Sequence, residues 1–195
     1  MRLSVSTNLV MLLSLAAVAQ VPSAAPLKSP STKPRRVNEL TLAALRPGRD
    51  LAVRAVQLYK KPEVKNPSDA TQLGWSDSCR KETLTLDSDA QKKIQVIRAM
   101  GLGWVRAGCE NISLSPWKTG RGLRIWDPAP RVALLYGEPD SRSPSTKDGR
   151  KLELLYYAFD WAGADVPQVM EVLCTVEDDG KPGRVVEITL AAPSL

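Results

Sequence analysis

Beyond residue 40 the apolar positions fall into two successive blocks with the same order: helical spacing, a proline turn, then alternation. In the first block Leu45, Arg46, Pro47, Gly48 and Arg49 read as a turn, and Asp50 is placed to cap a helix. Leu51, Ala52, Ala55, Val56, Leu58 and Tyr59 follow at three- and four-residue spacing, which predicts an amphipathic helix. Lys60 and Lys61 suit its C-terminal end, and Pro62 stops it. Leu73, Gly74 and Trp75, then Leu84 and Leu86 between threonines, then Ile94 and Val96 predict three strands with one apolar face.

The second block repeats this order. Asp127 is placed to cap, Pro128 sits where a first-turn proline is tolerated, and Val132, Leu135 and Tyr136 are apolar at helical spacing. Gly137, Glu138 and Pro139 end that helix, and residues 141–149 read as a polar loop. Residues 151–159 are strongly strand-forming, with Leu152, Leu154 and Tyr156 on one side and Leu155, Tyr157 and Phe159 on the other. Residues 170–176 form the next strand. Residues 177–183 are a turn run, and 185–190 close the meander with Val186, Ile188 and Leu190 facing the core.

A meander with one apolar face needs a cover, and each block supplies its own helix. The expected fold is therefore α+β: two repeated units, each a short helix packed on a three-stranded antiparallel meander. They would form one continuous antiparallel sheet or two abutting sheets. The first unit is expected over residues 39–118 and the second over 119–195. The connector, residues 101–122, carries Trp104, Cys109, Ile112, Leu114 and Trp117, which need burial.

The start of the chain has a different character. Arg2 precedes an apolar run over residues 9–18, too short to span a bilayer, and Ala17, Val18 and Ala19 form a small-any-small cleavage pattern. Residues 1–19 are read as a signal peptide, with cleavage near Ala24 or Ala25 as the alternative. No cysteine follows the apolar run, which argues against a lipid anchor at the new N-terminus. Residues 20–38 carry Pro22, Pro26, Pro30 and Pro34 among Ser, Ala and Lys, the composition of a disordered leader. The expected destination is the periplasm or the extracellular space. No other segment is apolar enough to span a membrane.

Export permits disulfides, and the three cysteines are Cys79, Cys109 and Cys174. Cys174 falls on the apolar side of its strand and is expected to be a buried free thiol, which leaves Cys79 with Cys109 as the preferred bridge. The net charge of +6 is modest and interspersed, compatible with weak association with anionic surfaces. No recognition motif for nucleic acid accompanies it.

The chain has no histidine, which removes the Ser-His-Asp and Cys-His arrangements, and the cysteine spacings match no metal motif. No cofactor is expected. Among the carboxylates, Asp127 reads as a cap, Asp178 and Asp179 as turn residues, and Asp160 and Asp165 as loop residues around Trp161. The better candidates for a binding surface are Trp161 with Arg142 and Arg150 in the neighbouring polar loop, and Trp75 in the comparable region of the first unit.

The order of short helix, Tyr136-Gly137-Glu138-Pro139, loop, long aromatic strand and closing strands ending Gly183-Arg184-Val185-Val186-Glu187-Ile188 carries a resemblance. It resembles the tandem helix-plus-meander repeat of beta-lactamase-inhibitor proteins and of outer-membrane assembly lipoproteins of the BamE/SmpA type. The resemblance spans residues 126–190 and, more faintly, 45–98. It implies a protein-binding module of the cell envelope or a secreted inhibitor. Two departures stand out: the lipidated cysteine is absent, and Lys60-Lys61-Pro62 stands where a glycine is expected. No inhibitory contact residue carries over, because no motif marks one. The expected function is an exported, non-enzymatic protein-interaction module. A small-ligand or glycan binder is the alternative, and a histidine-free hydrolase the reading after that.

Overall fold

The computed structural model describes residues 38–63, 71–101, 103, 116–159, 168–177 and 183–192. The two alternating blocks become strands and the two helical stretches become short helices. The elements run α1 (Ala52–Tyr59), β1 (Gln72–Asp77), β2 (Glu82–Ser88), β3 (Ile94–Gly101), α2 (Pro130–Tyr136), β4 (Ser141–Lys147), β5 (Arg150–Ala158), β6 (Val169–Thr175) and β7 (Val185–Ala191). All seven strands join one antiparallel sheet in the order β1-β2-β3-β7-β6-β5-β4. The last strands of the two blocks, β3 and β7, pair with each other, Ala99 opposite Ile188. The α+β class holds, but the two meanders merge into one sheet rather than forming two independent units.

The second meander has four strands. The polar stretch expected as a loop is β4, hydrogen-bonded to β5 from Ser141↔Tyr156 to Lys147↔Arg150. Its side chains are mostly exposed, so no apolar alternation marks it. As the sheet's edge it tolerates Pro144, since an outward-facing position owes no N–H to a ladder. The turn to β5 uses Asp148 (φ 52°) and Gly149 (φ 73°), two successive left-handed residues suited to a tight hairpin.

Both caps expected of aspartates are replaced. Leu51 and Ala129 occupy the N-cap positions without a side-chain cap, and Pro130 opens α2. Asp50 instead accepts the Arg46 N–H (2.8 Å) and pairs with Arg54. Asp127 accepts the Arg124 N–H (2.9 Å) and pairs with Arg131. Each carboxylate closes the turn before its helix rather than the helix itself. The apolar stripe of α1 is also narrower than expected: Ala52 and Ala55 are buried, whereas Leu51, Val56 and Leu58 are exposed.

Register places Leu84, Leu86, Ile97, Ala99, Ile188 and Leu190 on the face that the helices cover. Tyr136 of α2 packs edge-on against Tyr157 (5.9 Å) and beside Phe159 (6.1 Å), while Tyr59 of α1 meets Trp75 (5.8 Å). Ahead of α1, the Glu39 carboxylate is buried, 3 % exposed. It accepts N–H bonds from Thr41 (3.0 Å), Gly120 (3.1 Å) and Arg121 (3.0 Å), and the Tyr136 hydroxyl (2.8 Å). That one side chain ties the start of the unit to the turn before α2 and to α2 itself.

On the other face, Lys147 of β4 pairs with Glu187 of β7, which also pairs with Arg98 of β3 (3.1 Å). Three strand spacings separate β4 from β7, about 14 Å in a flat sheet. Their contact shows that the β4–β5 hairpin curls over this face.

Among the described residues no two cysteine sulfurs lie at bonding distance, but Cys79 is itself disulfide-bonded and its expected partner is not among them. Cys174 is buried and free. Cys109 lies outside the described residues, as do the signal peptide and nearly all of the leader. No helix among the described residues is long and apolar enough to cross a membrane.

Candidate functional site

A cavity lies at the exposed edge of the second meander, where β4, β5 and the end of β6 meet the start of α2. On β4, Arg142 pairs with Leu155 and Pro144 with Glu153, so register turns all four toward the helix-bearing face. Arg142 and Pro144 stay exposed there. Val176, one residue past β6, is 50 % exposed and adds an apolar wall. The opposite side is formed by Ala129 and Gly183. The resulting groove holds about 470 Å³.

Two features fix its walls. The Ala129 N–H donates to the Gly183 carbonyl (2.8 Å), joining α2 to the strand that follows. Gly183 has no room for a side chain: a Cβ there would stand 1.7 Å from the Thr175 carbonyl oxygen. The Thr175 hydroxyl accepts the Arg184 N–H (2.8 Å) and donates to Glu177 (2.8 Å), closing the end of the groove.

The charge in the groove centres on Arg142. Its Nη2 donates to Glu138 (3.0 Å), and its Nη1 lies 3.5 Å from Glu153. The hydrogen bond to Glu138 is the main cause that holds this guanidinium's pKa above its ordinary value. The three side chains are 45, 72 and 38 % exposed, so the pairs are water-screened and hold geometry more than they add stability. Beneath them, opposite Glu153, lies Cys174. Burial first, and the nearby Glu153 second, push its thiol up to about 12, so it stays protonated and unreactive at neutral pH.

The residues singled out from sequence separate in space. Arg142 is in the groove. Arg150, at the other end of the hairpin, lines a smaller cavity of about 90 Å³ with Met100, Lys147 and Glu187 on the curled face. The two cavities share Leu152 and Thr175. Trp75 is 6 % exposed, donates its indole N–H to the Lys60 carbonyl (3.3 Å) and packs on Tyr59, so it belongs to the core rather than to a contact patch. Trp161 lies outside the described residues, as do Asp160, Asp165, Asp178 and Asp179.

Sequence reading missed Glu138, Glu153 and Val176. Glu153 alternates with leucines in a strand, and only the sheet's edge position makes it part of a groove. Val176 continues the apolar alternation of β6 and reads as core; it is exposed because it lies past the strand's last paired residue, Thr175. Among the described residues no group of three or more Cys, Asp or Glu is arranged to hold a metal ion.

The chain matches no family model. No curated protein is significantly similar in sequence. Among solved structures, a DUF4309-family protein of Bacillus subtilis matches at 13 % identity, with a TM-score of 0.44 over 80 % of this chain and 88 % of that one. A cysteine-rich secretory protein of Staphylococcus aureus is 11 % identical, with a TM-score of 0.36 over 75 % of this chain and 44 % of that one. Similarity at this level carries no argument about function.

Proposed function

We propose that this chain is an exported, non-enzymatic protein-interaction module that contacts its partner through the β4-edge groove. The observation that carries the reading is the half-exposed Val176 and the exposed Pro144 flanking an ion-paired arginine in one open concavity. Exposed apolar side chains beside an arginine are what protein contact sites use. Export rests on Arg2, the apolar run over residues 9–18 and the Ala17-Val18-Ala19 pattern. The helix-plus-meander order agrees with an envelope-assembly or inhibitor role of the kind the resemblance implies. The net charge of +6 adds weak attraction to anionic surfaces.

A small-ligand or glycan site is the second reading, favoured by a volume of about 470 Å³, within the range of ligand pockets. Such pockets enclose most of their ligand, whereas this groove is open and its charged side chains are solvated. That difference favours a protein partner.

The test is affinity capture from the native exported fraction, using the wild-type protein and an Arg142→Ala/Val176→Ser variant. The expected result is a protein retained by the first and lost from the second, with unchanged thermal unfolding. Equal retention by both would sink the proposal. Saturable binding of a sugar or small molecule in the groove, without a protein partner, would favour the second reading.

A further inference from the structure

The exposed side of α1 is unlike the groove. Leu51, Val53, Val56 and Leu58 are 37–56 % exposed within or beside a helix of eight residues. Cations surround them. Arg49 precedes Leu51, Arg54 lies mid-helix, and Lys60 and Lys61 follow its last turn. The β2–β3 turn adds Lys92 and Lys93, since Leu51 bridges Lys93 and the Ala52 N–H donates to the Lys92 carbonyl (2.8 Å).

Among the described residues, three carboxylates of this region are occupied locally. Asp50 holds the Arg46 N–H and Arg54. Asp89 accepts the Gln91 and Lys93 N–H groups and the Gln95 amide. Glu63 accepts the Ser76 hydroxyl. The patch is therefore two aliphatic flanks divided by Arg54 and Gln57, with further cations around its margin.

We propose that this α1 face docks on an anionic lipid surface. The charge is complementary to acidic headgroups, and lysine near such a surface strengthens binding by about fivefold per residue. Residue types argue against a protein partner here: protein contact sites are depleted in lysine and enriched in aromatics, whereas this patch has four lysines and four aliphatics. Arg54 and Gln57 lie on the outward ridge, between Val53 and Val56 on one flank and Leu51 and Leu58 on the other. The seating is consequently shallow, with the guanidinium at headgroup depth and the aliphatics at the acyl boundary.

The test uses the protein purified from the exported fraction, with the N-terminus that processing leaves, in co-sedimentation with two vesicle preparations. One is phosphatidylcholine alone; the other is one part phosphatidylglycerol to two parts phosphatidylcholine. Binding is expected only to the second and should fall as salt is raised. Lys60→Gln/Lys61→Gln should weaken it roughly 20-fold, and Val53→Ser/Leu58→Ser about tenfold or more. All these side chains are exposed, so both variants should unfold thermally like wild type. Equal binding to both vesicles, or unchanged binding by the variants, overturns the proposal. So does a wild-type dimer that Val53→Ser/Leu58→Ser dissociates, with no vesicle binding. The groove variant Arg142→Ala/Val176→Ser should bind vesicles normally, which keeps this proposal separable from the groove reading.

Discussion

Replacing Glu39 by alanine removes an acceptor shared by the Leu40, Thr41, Gly120 and Arg121 N–H groups and the Tyr136 hydroxyl, at a site 3 % exposed to solvent. Three of the donors, the Gly120 and Arg121 N–H groups and the Tyr136 hydroxyl, come from far along the chain. A hydrogen bond to a charged acceptor contributes about 1.5–3 kcal/mol, and a buried donor left without one costs about 1–3 kcal/mol. The carboxylate's own desolvation offsets part of this, and water entering the vacated space recovers more. The expected net loss is about 3–5 kcal/mol, the range for removing one member of a buried charged pair. For a unit of this size that lowers Tm by roughly 10 °C. Glu39→Gln keeps the shape and one acceptor oxygen. Tyr136 can rotate its hydroxyl to donate to Thr119, 2.6 Å away, and accept from the new amide. The Arg121 N–H then lacks a partner and the Thr119 hydroxyl gives up Tyr136 as its acceptor, so the loss should be about 1–3 kcal/mol. Urea unfolding of the three proteins followed by tryptophan fluorescence gives the values. An alanine variant within about 1 kcal/mol of wild type would refute the account of Glu39 as the tie between the N-terminal segment and α2.

Gly183→Ala forces a Cβ against the Thr175 backbone carbonyl. A loss of about 1–3 kcal/mol is expected by urea titration, together with weaker partner retention, because the groove wall must shift. Cys174 gives a pH dependence: its folded thiol keeps its proton to about 12, while an unfolded thiol loses it near 8.5. The folded state therefore binds more protons between those values, so stability is full below about pH 8.5 and falls as pH rises toward 12. Cys174→Ala should flatten that alkaline slope in thermal melts; an unchanged slope would exclude the thiol as its source. At the hairpin latch, Lys147→Met should cost less than about 1 kcal/mol, since the lysine is 40 % exposed. Glu187→Ala should cost about 2–3 kcal/mol, because its carboxylate is 11 % exposed and its loss leaves Arg98 and Lys147 facing each other. Hydrogen exchange over residues 141–158 should quicken in both.

Much of the fold was legible from spacing. Leu84 and Leu86, Leu155 and Tyr157, and Ile188 and Leu190 alternate because one side of each strand faces the helices, and period-two alternation records that directly. β4 was not legible. An edge strand exposed on its open side carries no burial pattern, and Ser141-Arg142-Ser143-Pro144 reads as a loop. The caps misled for a related reason: Asp50 and Asp127 stand where caps stand, but each finds a backbone N–H in the preceding turn instead. For the candidate site, Arg142 is visible as a charged residue near a turn, whereas Trp75 reads as a contact because sequence does not show that Tyr59 and Lys60 enclose it.

By itself the sequence determined the α+β class, most strands and both helices, since local periodicity and turn chemistry decide which face of a segment avoids water. It also excluded histidine-dependent catalysis, a matter of composition. The tertiary structure decided what depends on neighbours distant in the chain: the β3–β7 pairing that makes one sheet, the curl that brings Lys147 to Glu187, and the burial of Glu39 among donors from the turn before α2. It likewise decided that Arg142, Glu153 and Val176 share a groove while Arg150 faces another. The physical reason is that a side chain's exposure and partners are set by which strands lie beside its own, and pairing order across a sheet leaves no mark on the local pattern.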